Sequence, residues 1–205
     1  MAAEERKSVW DLEEGEIRRP GIVHVVMCAL FTGIGIVVGT LGSLAIPIGF
    51  VSAFWPGQAV QVIGGIWFGW WGGIAGFLFP LISNLLSGSA PLAVSLAYAP
   101  SNLLFQPMLG AWAFRFFKAD PRLRSGRDWG IWVVFGVLLA NLAGALWGSL
   151  ILLWFGLITG PAYWITVGGW TVGNTIPSLI LGSVILYFVS PLVMRTAAFC
   201  KGYWA

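Results

Sequence analysis

Residues 129–194 read Trp129-GIWVVFGVLLANLAGALWGSLILLWFGLITGPAYWITVGGWTVGNTIPSLILGSVILYFVSPLV-Met194, and this stretch holds no Asp, Glu, Lys or Arg. A second block, Pro20–Phe114, is equally free of them. All ionised side chains fall in residues 4–19, in residues 115–128, or at Arg195 and Lys201. A water-soluble domain would scatter charge over its surface. Removing it from two long blocks fits a hydrocarbon solvent, where each ionised group costs several kcal/mol. The sequence therefore reads as an all-α integral membrane protein.

A membrane-spanning helix needs roughly 20 apolar residues. The second block divides at Gly156-Leu-Ile-Thr-Gly-Pro161 into segments 130–155 and 165–194. The first block breaks at Pro47–Pro56, Gly69–Gly73 and Ser87–Pro91, leaving segments 21–46, 56–69, 71–88 and 93–117. The second of these is short. Six crossings return every basic cluster to one face, and Arg18, Arg19, Arg115, Lys118, Arg122, Arg124, Arg127 and Arg195 mark that face as cytoplasmic. The expected plan is a six-transmembrane-helix bundle in the cell membrane with both termini cytoplasmic. It comprises a charged tail over 1–19, a membrane domain over 20–196 and a short tail over 197–205. The tail lacks the basic start and short apolar core of a cleavable signal peptide, so the first apolar segment is expected to stay as a helix.

Composition narrows the function. The chain is 205 residues long, 58% hydrophobic and 9% charged, enough for one compact membrane domain. A formal charge of +3 is too small to point to nucleic acid. Cys28 and Cys200 are isolated and read as packing residues, not a disulfide or a metal pair. The single histidine, His24, reads as a packed or snorkelling side chain. No nucleophile triad, metal-ligand spacing or Walker-type lysine loop is present, so neither catalysis nor a bound cofactor is expected. Without acids or bases in the spans, a proton relay is not expected either.

What remains polar in the apolar blocks is neutral: Gln58, Gln61, Asn84, Asn102, Gln106, Asn141 and Asn174. Buried carboxamides are costly unless they are hydrogen-bonded. They can bond between helices, or converge on a cavity. Asn84, Asn102, Gln58 and Asn174 fall near the predicted outer ends. Trp55, Trp147, Trp154, Trp164 and Trp170 cluster there too, with Tyr98 and Tyr163. An aromatic pocket with a few fixed amides suits a small, largely neutral, planar organic molecule. Trp129, Trp132 and Trp204 read as interfacial belt residues. Small residues four apart, at Ala29 and Gly33, at Gly35, Gly39 and Ser43, and at Ala140, Gly144 and Gly148, allow close helix packing. Pro80, Pro107 and Pro177 lie inside predicted helices, where each frees a carbonyl that protein or a wet cavity must satisfy.

The order of features carries a family resemblance. A glycine-punctuated first helix precedes a long outer loop and the run Val62-Ile-Gly-Gly-Ile-Trp-Phe-Gly-Trp-Trp-Gly-Gly-Ile-Ala-Gly-Phe77. Later, Asn174-Thr-Ile-Pro-Ser-Leu-Ile-Leu-Gly182 leads to Ser190-Pro-Leu-Val-Met-Arg195. This resembles the substrate-binding S components of energy-coupling-factor transporters. The resemblance implies capture of a vitamin or similar micronutrient near the outer face, with a transmembrane coupling subunit and two ATPases as partners. By region it implies a substrate site at Trp55, Tyr98, Asn102, Trp164, Trp170 and Asn174. The family's contact with the coupling subunit uses alanines four apart on the first helix; the matching positions here are Ala29 and Gly33.

Two alternatives come from other classes. Phe54-Trp-Pro-Gly57 followed by a Phe-Gly turn, and Leu109-Gly-Ala-Trp112, also look like membrane-embedded sensor domains of bacterial signalling proteins. The chain would then be a sensory or interaction module. An accessory subunit of a larger membrane complex, docking through residues 1–19, is the other.

Overall fold

The computed structural model describes residues 8–45, 47–48 and 51–205. Residues 1–7 of the N-terminal tail, and part of the expected 47–55 loop, lie outside the described residues. The first helix, α1 (Ile22–Ala45), leads to an antiparallel pair, β1 (Pro47–Ile48) and β2 (Val51–Ser52), with Pro47 opposite Ser52. α2 (Gly57–Phe68), α3 (Trp70–Ser87) and α4 (Leu92–Ala97) follow, and a π-helical turn at Ser101–Phe105 joins α4 to α5 (Gln106–Phe116). The chain ends in two long helical rods, α6 (Gly126–Trp154) and α7 (Gly160–Val193). Each contains a π-helical stretch, Trp132–Leu139 in α6 and Ser178–Gly182 in α7.

Four helices, α1, α3, α6 and α7, are long and apolar enough to cross a bilayer. The fold is that of a membrane-embedded helical protein. α2 differs in kind. Its 12 residues are all buried except Val60, and it forms the axis on which its neighbours pack. At about 1.5 Å per residue it is about 18 Å long, against roughly 30 Å of hydrocarbon.

Apolar burial alone does not hold helices together in lipid, so backbones must approach closely. Glycines permit this. A Cβ on Gly35 would enter the Phe79 ring, and one on Gly39 would meet Ser83 Oγ at 3.0 Å, so this stripe of α1 seats α3. A Cβ on Gly64 would lie 3.5 Å from Gly72, and one on Gly65 would strike the Pro107 carbonyl. Gly33, by contrast, faces open space, and Ala29 is exposed beside it. Gly69 joins α2 to α3 with φ +56°, where its missing Cβ leaves room for the Tyr203 carbonyl, which accepts from Trp70 N–H at 2.8 Å. Trp132 corrects the belt expectation. It is fully buried, packs over Gly136 and Gly182, and donates from Nε1 to Ser183 Oγ at 2.9 Å.

The three charged segments meet at one end of the bundle. Trp10 Nε1 donates to the Ala119 carbonyl at 2.7 Å, and Lys118 pairs with Asp11 at 3.1 Å. Arg115 donates to the Ile66, Cys200 and Gly202 carbonyls, with its guanidinium 4.5 Å from the Trp10 ring centre. Glu16 accepts from Glu13 N–H and pairs with Lys201 and Arg18, each at 2.6 Å. The Glu13 backbone bond and then those two cations hold its carboxyl down to about 2. Ser125 and Asp128 form a reciprocal cap on α6. His24 is buried and stacks on Trp71, as a packed side chain would. The described part of the mixed-charge tail is thus folded onto the bundle.

Candidate ligand-binding site

At the opposite end lies a cavity of about 230 Å³. The end of α1, the 52–55 segment, α3, the α4–α5 region and α7 enclose it. Two internal prolines shape its walls. Pro177 has no N–H, so the Gly173 carbonyl one turn earlier loses its helical donor. That carbonyl accepts from Trp55 N–H at 3.0 Å, which fixes the 52–55 segment to α7. Gly173 must be glycine for this contact, because a Cβ would collide with the Ser52 carbonyl. On the other side, Ser52 Oγ donates to the Gly42 carbonyl at 2.8 Å and Trp55 Nε1 to Gly39 at 3.1 Å. The segment therefore straps α1 to α7. Pro80 likewise orphans the Gly76 carbonyl, and Gln61 Nε2 satisfies it at 2.6 Å.

The aromatic walls are Trp55, Tyr98 and Trp170. Tyr98 and Trp170 meet edge to face at 5.5 Å. Gly148 makes the space for Trp170, since a Cβ there would sit 2.5 Å from the indole. Gly144 does the same for Gln106, whose Nε2 would be 2.5 Å from an added Cβ. The small-residue stripe of α6 thus accommodates cavity side chains.

Asn84, Asn102, Gln106 and Asn174 supply the amides. Asn84 is bonded at both ends of its amide: it donates to Ser95 Oγ at 3.3 Å and accepts from Ser89 Oγ at 3.1 Å. Gln106 and Asn174 are not. Both are 1% exposed, and their amide nitrogens have no hydrogen-bond partner among the described residues. Leaving such a donor unpaired costs about 1–3 kcal/mol. Among the described residues, no Asp, Glu, Lys, Arg or His lines the cavity. The arrangement can hold a neutral molecule by stacking and by amide hydrogen bonds.

Of the six expected site residues, Trp55, Tyr98, Asn102, Trp170 and Asn174 share this cavity. Trp164 does not line it: the residue is 69% exposed on the outside of α7, its ring against Tyr163. Trp147 donates to the Ala97 carbonyl and packs behind Tyr98, and Trp154 faces outward. Gln106 belongs to the site although its sequence position, at the start of α5, sets it away from the outer loops. Its signal was the glycine at 144, which pairs with it only in three dimensions. Ser43, Ser52, Ser87 and Ser89 also line the cavity, and nothing in their local sequence distinguishes them.

Compared with known protein families, curated proteins and solved structures, the chain matches none.

Proposed function

We propose that this chain is a six-span membrane protein with both termini in the cytoplasm. It captures a small, neutral, planar molecule at the outer face as the binding subunit of an uptake transporter of the energy-coupling-factor type. The observation that carries the binding role is the cavity, lined by the buried amide residues Gln106 and Asn174 together with Trp55, Tyr98 and Trp170. The gathering of basic residues at the other end supports the orientation, because positive charge favours the cytoplasmic side. In this reading α2 and the α4–α5 region complete the six crossings, with α2 shielded from lipid by its neighbours. The exposed Ala29–Gly33 face of α1 is the docking strip for a coupling subunit, and two ATPases supply the energy.

Purification from a native membrane tests both parts. An organic molecule is expected to co-purify with the wild-type chain and to be lost in Trp170→Ala and Asn174→Ala, with helical content unchanged. A membrane coupling subunit and two ATPases are expected in the same preparation. Retention unaffected by both substitutions would remove the site. A stable complex with a kinase or cyclase instead would remove the transporter assignment.

A further inference from the structure

We propose that the charged end of the seam between α6 and α7 binds an anionic phospholipid, its phosphate held by Arg124 and Arg195. This site is separate from the cavity and does not rest on the role proposed for it. Charge balance at that end is the starting point. Lys118 pairs with Asp11, Arg122 with Asp120, and both Arg18 and Lys201 with Glu16. Arg115 is engaged by backbone carbonyls, and Arg127 donates to the Phe117 carbonyl. Asp128 is taken up by the cap of α6. Arg19, Arg124 and Arg195 remain. All three are exposed, and the guanidinium of none has an acidic or hydrogen-bond partner among the described residues.

Two of the three share one place. α6 and α7 run antiparallel, and Trp132 Nε1 on α6 donates to Ser183 Oγ on α7 at 2.9 Å. Nearer the charged end, Ser190 Oγ on α7 donates to the Pro121 carbonyl at 3.1 Å, shortly before α6 begins. Arg124 lies between Pro121 and the start of α6, and Arg195 lies just beyond the end of α7. Both therefore stand where the seam meets the charged end. The rods leading away from them are apolar and uncovered. Trp129 and Val134 are exposed on α6, and Phe188 and Leu192, one turn apart, on α7. Cations at the rim of an exposed hydrocarbon wall match a phospholipid, charged at the head and apolar in the chains. A guanidinium grips phosphate oxygens through a planar, two-pronged set of donors. A zwitterionic headgroup brings its own ammonium, which competes for that phosphate. An anionic headgroup leaves its charge to the two arginines, the usual ground on which basic residues beside membrane helices favour anionic lipid.

Native mass spectrometry of the full chain in detergent tests the site, with phosphatidylglycerol and phosphatidylcholine of identical acyl chains as probes. Wild type is expected to retain phosphatidylglycerol about 10-fold more tightly than phosphatidylcholine, the scale set by two arginines near a membrane surface. The double variant Arg124→Gln, Arg195→Gln is expected to lose that preference, and each single variant part of it. Arg19→Gln removes a similarly exposed cation just before α1 and is expected to keep the preference. Glycerol phosphate, a headgroup without chains, is expected not to displace the lipid at the same concentration. Because these side chains are exposed and unpartnered, all variants should keep the wild-type helical content, which circular dichroism checks. Equal retention of the two lipids, a preference unchanged in the double variant, or one lost equally in Arg19→Gln overturns the site. Displacement by glycerol phosphate would make it a site for a free anion, and an acidic protein segment co-purifying on the same arginines would make it a protein interface. Either result overturns the lipid assignment.

Discussion

At the residue scale, the cavity depends on side chains that are missing as much as on those present. Gly148 and Gly144 are the clearest cases, because a Cβ added at either would lie 2.5 Å from a neighbour's side chain. Gly148→Val should push Trp170 into the cavity, lower ligand retention at least about 10-fold, and cost about 1–3 kcal/mol of stability. Gly168→Val, in α7 but facing open space, should change neither. Ligand retention and thermal unfolding of the two variants check the pair. Trp132→Phe should cost about 1–3 kcal/mol by stranding Ser183 Oγ, read from unfolding in denaturant. Such pairings were only partly legible in the sequence. The amides and tryptophans stand out against apolar neighbours, and five of the expected site residues do come together. What was illegible is which way each ring points: Trp164 and Trp170 are six positions apart on one helix, yet only Trp170 meets Gly148.

At the element scale, most segment boundaries were readable because Gly and Pro interrupt apolar runs. α7 is an instructive exception. A start near residue 165 was expected, since Gly160-Pro161 reads as a breaker, but the helix begins at Gly160. Proline is well suited to the first turn, where its absent N–H would be unpaired anyway. The same residue type has another use deeper in the helix. Pro177→Ala would restore an N–H to the Gly173 carbonyl, competing with Trp55 N–H for it. The variant should keep or gain thermal stability while the 52–55 strap exchanges its amide hydrogens faster. Unchanged exchange at Trp55 would mean that the proline does not control the strap. The tail at the other end responds to acid. Glu16 has a carboxyl lowered from about 4.5 to about 2, so its contribution is complete above about 4.5 and fades as the pH falls towards 2. Proteolysis of residues 8–19 should accelerate over that window, and Glu16→Gln should show the accelerated rate at neutral pH.

At the scale of the whole molecule, the two ends carry opposite chemistry. Trp10, Arg115, Glu16 and Lys201 tie the charged segments together at one end, and the neutral cavity opens at the other. The charge map alone foretold that the charged segments are set apart from the apolar blocks, and in the fold they meet at one end. It could not foretell that α2 would be wrapped by its neighbours, since an apolar run looks the same whether protein or lipid surrounds it. The direct measurement is two-sided labelling of intact cells with a membrane-impermeant maleimide, in a background where Cys28 and Cys200 are alanine. Ser89→Cys at the cavity rim should label from outside, and Arg124→Cys should label only after the membrane is opened. Labelling of Arg124→Cys in intact cells, with Ser89→Cys protected, would contradict the orientation and the outward-facing binding role built on it.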